Sequence, residues 1–344
     1  MLKNKKGKAK SFCLKTTVYI MVAALCLGAL LSCSSTEGTL ILDSNNGAEP
    51  TEEAEEGYRI MFVTPLVNHP IWLDAKSGAE DAGKELGANV TWQGPDIVDY
   101  DYMIDTVYEA ISEEYDAIIV YPVEPALFED AMRKAQAAGI PLVTVCGDSD
   151  PSLRDSYVGT DVVRFGEEAA ELIGQKSGGR ANLAVLCTNF EAINQVQEYE
   201  AFLSVLKEKY PGVNVVVRES DETDTLKAVD KTYEILEKYP EVDFLWSMEG
   251  AGASGVAQVV KEKGLEGQIT ILGTDAMSPL LEAIKDGGVW GSLAQNFYNM
   301  GRLAVENAVG HIQGNEVQDT TDSGFVLITQ ENIHSYLESD GDRY

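Results

Sequence analysis

The sequence predicts an α/β protein whose parallel sheets are covered by helices on both faces. From Tyr58 onward, short apolar runs alternate with amphipathic helical stretches, the pattern of strand–helix–strand units. An apolar share of 44% is enough to bury cores beneath an acidic coat. A length of 344 residues suggests two lobes.

The chain opens with Lys3, Lys5, Lys6, Lys8, Lys10 and Lys15, then an apolar run from Thr16 to Leu31. This layout reads as a secretory signal, and its apolar part is short for a bilayer-spanning helix of about 20 residues. Leu30-Leu31-Ser32-Cys33 reads as a lipobox, so residues 1–32 are expected to be removed and Cys33 to carry lipid; an uncleaved N-terminal anchor is the alternative. Both place the rest of the chain outside the cytoplasm, tethered to a membrane. Removal of the segment changes the formal charge from -30 to -36, a body that repels nucleic acid. Residues 33–57 are polar and acidic, and read as a flexible tether reaching roughly 25–30 Å.

Of five cysteines, Cys13 and Cys26 leave with the signal, Cys33 takes lipid, and Cys146 and Cys187 stay without metal-ligand spacing. Two free thiols in an exported chain point to a reducing habitat. His69, His311 and His334 are too scattered for a metal centre or a nucleophile–base pair. No metal and no cofactor is expected.

Strands are predicted over 59–63, 89–92, 117–121, 142–145, 181–186, 213–217, 243–246, 269–272 and 289–293. Helices fall at 70–86, 124–138, 191–209, 225–238, 251–263, 279–285 and 300–312. The first helix shows the period: Ile71, Ala75, Ala79, Ala82 and Leu86 form one stripe, with Pro70 at N1. Ligands of open parallel sheets bind beyond the strands' carboxyl ends. The segments there are polar and neutral or acidic, and include Asn68, Trp72, Asp148, Asn189, Glu249, Asp275 and Gln295. They suit an uncharged polyhydroxylated ligand and suit an anion badly.

The stretches Val67-Asn68-His69-Pro70-Ile71-Trp72, Ala138 to Val145, Tyr157-Val158-Gly159-Thr160-Asp161, Ile271-Leu272-Gly273-Thr274-Asp275 and Leu293-Ala294-Gln295 occur in a telling order and spacing. Through them the chain resembles the periplasmic-binding-protein type I family, in the branch of ABC-transporter sugar-binding proteins for ribose, galactose and autoinducer-2. The similarity spans Tyr58 to about Ile333. It implies two Rossmann-like lobes, 58–161 plus 296–324 and 162–295 plus 325–344. Three hinge crossovers near Asp161, Gln295 and Gly324 would join them, and the hinge would close on ligand. By this resemblance Asp275 accepts hydrogen bonds from sugar hydroxyls, Gln295 stands at the last hinge and Trp72 packs on the sugar ring. Glu249 stands where asparagine or aspartate is common. Cys146 replaces a hydroxyl-binding aspartate, with Asp148 two residues on. The arginine expected between Asn194 and Phe202 is missing, with Gln195, Val196, Gln197 and Glu198 in that stretch.

Each candidate has a plainer reading. Asp275 could cap the helix that begins near Ser278. Trp72 lies one step off the Ile71 stripe, on the Lys76 face, and is expected outside the core, either on ligand or on a neighbouring loop. Trp246 and Trp290 are expected in the core, while Trp92 stays open. Gln295 could serve the hinge backbone alone. Glu249 could complement a helix dipole, Asp148 could be turn chemistry, and Asn189 and Asn194 could be caps. Cys146 and Cys187 read as small hydrophobes at strand ends.

Gly250-Ala251-Gly252-Ala253-Ser254-Gly255 is a literal GxGxxG between a strand and a helix, with Asp275 twenty residues beyond. An exported location and Glu249 beside the motif oppose the dinucleotide reading. The expected function is capture of a monosaccharide or small polyol for an ABC permease, by a monomeric, lipid-anchored, non-enzymatic protein. Presentation of the ligand to a membrane sensor kinase and an exported NAD-binding oxidoreductase are the alternatives.

Overall fold

The computed structural model describes residues 57–191 and 193–337. The signal segment, Cys33 and the tether up to residue 56 lie outside them.

The first run of elements is β1 (Tyr58–Val63), α1 (Pro70–Leu86), β2 (Ala88–Gln93), α2 (Tyr100–Ser112), β3 (Ala117–Val120), α3 (Pro125–Ala137), β4 (Leu142–Val145) and β5 (Ser156–Gly159). Next come α4 (Val162–Lys176), β6 (Arg180–Cys187), α5 (Ile193–Lys209), β7 (Gly212–Ser220), α6 (Thr225–Lys238), β8 (Phe244–Ser247), α7 (Gly252–Glu262), β9 (Thr270–Thr274), α8 (Ser278–Lys285) and β10 (Gly291–Gln295). The described chain ends with α9 (Phe297–Ile312), β11 (Thr320–Asp322), β12 (Phe325–Thr329) and α10 (His334–Leu337).

These strands form two sheets, ordered β11-β5-β4-β3-β1-β2 and β12-β10-β9-β8-β6-β7. Five strands of each share one relative order, so β4 and β9 hold equivalent places. Every pairing is parallel except β12 against β10. Central strands such as Ala117–Val120 and Phe244–Ser247 are buried along their whole length, as strands covered by helices on both faces must be. The chain passes between sheets after β5, after β10 and after β11. At the last passage Gly324 turns with φ +80°, and its N–H donates to Asp322 Oδ1.

Helix starts follow local chemistry. Asp99, Asp161, Asp224 and Asn296 each accept backbone N–H bonds at the first turns of α2, α4, α6 and α9. Glycine sets the closest helix contacts. A Cβ on Gly301 of α9 would lie 1.9 Å from the Ala75 carbonyl oxygen of α1. A Cβ on Gly166 of α4 would lie 2.0 Å from the carbonyl oxygen of Glu198 on α5.

The structure adds β5, β11, β12, α2, α4 and α10 to the predicted elements. β5 has only Tyr157 and Val158 as apolar residues and β11 has none, so neither carries an apolar run. The buried stripe of α1 is also shifted, to Trp72, Ala75, Ala79 and Ala82, with Leu86 40% exposed. Trp72 therefore belongs to the core, contrary to expectation. Its indole is 4% exposed, stacks on Tyr121 at 5.7 Å and meets the Phe297 ring edge-on at 5.5 Å. Position 72 precedes Ala75 by three residues, which puts it on the inward face. Trp246 is fully buried against Phe202, Trp290 is half-buried, and Trp92 packs on Phe62.

Candidate functional site

The carboxyl ends of the two sheets meet around a cavity of about 240 Å³. Cys146 and Thr160 line it from the first sheet; Asn194, Gln195, Glu198, Glu249 and Asp275 line it from the second, with Gln295 at a crossing. The volume lies below the usual range for drug-sized ligands, so it fits one small ligand.

Cys146 follows β4 and Asp275 follows β9, the equivalent strand. Both adopt left-handed backbone, φ +64° and +62°. That conformation costs a non-glycine residue about 1–3 kcal/mol and clusters at functional sites. Asp275 does not cap α8: the helix starts at Ser278 behind Met277, without a side-chain cap. Its Oδ1 instead accepts a 3.2 Å hydrogen bond from Gln295 Nε2. Burial raises its carboxyl pKa to about 6; the Gln295 bonds oppose this, and Glu249 adds to it. Burial and then Asp275 push the Cys146 thiol up to about 12, so it faces the cavity uncharged.

Glu249 is 6% exposed, and its two carboxylate oxygens accept the backbone N–H groups of Ala251 and Gly252. It fills the amino end of α7, the place a dinucleotide's pyrophosphate would need. The glycine motif has a steric cause here. A Cβ on Gly252 would lie 2.4 Å from Glu249 Oε1 and 2.7 Å from Asp221 Oδ2, and one on Gly255 2.8 Å from the Thr225 carbonyl oxygen. The glycines make room for carboxylates and for the α6–α7 contact.

Gln195 knits the second sheet's side: its Oε1 accepts from the Thr188 N–H at 2.9 Å, and its Nε2 donates to the Met248 carbonyl at 3.2 Å. Glu198, Gln195 and Thr188 were not among the sequence candidates. A cue for Glu198 is its place four residues before Phe202 and eight before Leu206, on the buried stripe of α5. Asn189 accepts the Glu191 N–H in a local turn.

Asp148 and Asn68 do not line this cavity. Asp148 is held by Arg154, with 2.7 and 2.8 Å bonds from Nε and Nη2, and by a 2.8 Å bond from Thr144 Oγ1. It borders a neighbouring opening of about 670 Å³ that shares Thr160, Val162 and Asn194 with the cavity. Asn68 is exposed and donates to Asp96 Oδ1 at 2.8 Å. Trp72 lies one layer back, behind Tyr121, whose ring abuts Gly147 beside Cys146.

Asp221 lies behind Glu249, fully buried, its carboxyl pKa raised to about 7 by burial and then by Glu249. A carboxyl raised in the folded state holds its proton more tightly there than in the unfolded chain. Stability gained from it is complete below the unfolded value near 4 and is lost as pH rises toward 7. Between pH 8 and pH 5, unfolding free energy is expected to rise by on the order of 2–4 kcal/mol. Asp221→Asn should flatten that slope in urea melts; an unchanged slope would remove the assignment.

The chain belongs to the periplasmic binding protein domain family, whose profile matches residues 60–316. It is 25% identical over 314 residues to the ribose import binding protein RbsB of Bacillus subtilis, covering 90% of this chain and 98% of that one. Among solved structures it is similar to GanP, a glucose-galactose binding protein from Geobacillus stearothermophilus. That match has 26% identity and TM-score 0.73, and covers 81% of this chain and 99% of GanP. A chain solved in the XylFII-LytSN complex matches at 27% identity and TM-score 0.68, covering 80% and 98%.

Proposed function

We propose that this chain is an extracytoplasmic solute-binding lipoprotein that captures a monosaccharide or small polyol and delivers it to an ABC importer permease. The carrying observation is the cavity between the two sheets' carboxyl ends, lined by hydroxyl, amide and carboxylate groups. Such groups accept and donate hydrogen bonds in fixed directions, as a hydroxylated ring requires. Similarity to ribose and glucose-galactose binding proteins supports the ligand class.

The working division is two lobes, 58–161 plus 296–324 and 162–295 plus 325–344. Ligand contacts are assigned to Cys146, Asn194, Glu249, Asp275 and Gln295. A ligand touching Cys146 and Asp275 binds both lobes and favours the closed form by its differential affinity. The permease then reads the closed form. The lipid on Cys33 keeps the body at the membrane.

A thermal-shift screen of pentoses, hexoses and polyols tests the binding claim. A ligand at 100 times its Kd should stabilise by about 2.7 kcal/mol; no shift with any of them would refute it. Cys33→Ser should release the chain from membranes into the soluble fraction, and equal membrane retention would refute the anchor. A second reading, presentation of ligand to a membrane sensor kinase, is favoured by likeness to a chain solved in a protein complex. Co-purification with permease subunits or with a sensor kinase separates the two.

A further inference from the structure

Building on the sugar-binding reading above, we propose that the ligand is cationic: an amino sugar or amino polyol whose ammonium group is held between Glu198 and Asp275. Three carboxylate side chains, Glu198, Glu249 and Asp275, line the cavity, with no Lys, Arg or His among the described residues that do so. A fourth, Asp221, stands fully buried behind Glu249.

Among the described residues, the cation that acts on Glu198 is Arg218 on β7. Its guanidinium lies over the rings of Tyr199 at 4.1 Å and Phe190 at 5.2 Å, and it is not in the cavity wall. Four carboxylates against one guanidinium leave the second sheet's side of the cavity strongly acidic. The facing side offers Cys146 and Thr160 and so adds no counter-charge.

Glu198 supplies the decisive detail. It is 6% exposed, and its Oε1 is buried without a hydrogen-bond partner among the described residues. Glu249 spends its oxygens on the amino end of α7, and Asp275 Oδ1 is met by Gln295. A buried carboxylate without a partner is costly unless it is protonated or meets a cation. Burial, and after it Asp275, push the Glu198 carboxyl well above its ordinary range, with Arg218 opposing. A bound ammonium would draw that carboxyl back toward its charged form.

A metal ion does not fit this arrangement: no three of the described acidic, His or Cys groups converge closely enough to hold one. The compensating charge has to be spread on a larger frame. An ammonium group brings three N–H donors for two carboxylates. Asn194 and Gln295 remain to bind the hydroxyls of the same molecule.

Calorimetry on the full chain with matched sets tests this: glucosamine, glucose and N-acetylglucosamine, and the galactose equivalents. At pH 7 one amine should bind at least 10-fold tighter than both its neutral partners. Its affinity should fall on either side of neutrality, as Asp275 takes up a proton in acid and the amine loses its own in base. Protons should be released on binding, seen as a heat that changes with buffer ionisation enthalpy. Glu198→Gln should shrink the amine's advantage below about 3-fold while its circular dichroism stays unchanged. A neutral sugar that binds as tightly as its amine overturns the charge assignment and leaves the sugar-binding reading standing. Absence of binding by every member at millimolar concentration overturns the amino-sugar assignment, and the sugar-binding reading falls with it only if the screen of pentoses, hexoses and polyols is also blank. The wild-type comparison decides the matter even where the variant does not fold.

Discussion

Asp275→Asn should weaken sugar binding by about 1.5–3 kcal/mol, a loss of roughly 10- to 150-fold, while making the free protein more stable above pH 7. The two effects share one cause. Asp275 is held at the end of β9 in left-handed backbone, which asparagine also tolerates, so the exchange adds no strain. Its carboxyl sits near Glu249 and Glu198, and burial raises its pKa to about 6. Above that pH the free protein carries an unfavourable buried charge that hydroxyl or ammonium donors would relieve. Asparagine removes the charge, and with it one carboxylate acceptor in the cavity. Calorimetry and urea melts on one variant read both quantities. Unchanged affinity would remove Asp275 from the ligand contacts, and lowered stability at pH 8 would contradict the electrostatic account.

Trp72→Ala should lower stability by about 3–5 kcal/mol, the cost of deleting a large buried aromatic side chain. For a body of this size the melting temperature would fall by about 6–20 °C. The indole bridges α1, Tyr121 and Phe297 at the start of α9, so its loss opens a void in the first sheet's core. Affinity measured on the folded fraction should change by less than about 3-fold. A small thermal shift with a tenfold loss of affinity would restore Trp72 to the ligand contacts.

These two residues show where the sequence was readable. Asp275 ends an apolar run, and the rule that ligands gather at strand carboxyl ends points to it directly. The inward phase of Trp72 is not legible in the sequence, because Ile71 and Leu86 are as apolar as the true stripe residues. One step of phase decides which side of a helix faces in, and only packing against α9 settles that phase. Glu198 was passed over for a different reason: a glutamate in a helix of an acidic protein usually faces solvent. Its burial comes from Gly166, which lets α4 approach the backbone of α5 at Glu198. Asp148 stands in a loop where ligand residues are expected, and its ion pair is not legible there: its Arg154 partner is six positions on, where no helix period brings the two together.

Local order along the chain thus settled the alternation of strands and helices, the predominantly parallel sheets and most of the strand ends that could meet a ligand. Those features depend on periods of two and 3.6 residues, which neighbouring positions carry without help. Tertiary structure alone decided which carboxylates are paired, capped or left without a partner, and which sheet each short strand joins. Such properties arise between residues tens to hundreds of positions apart, such as Arg154 with Asp319, and from burial, which no single stretch of sequence contains.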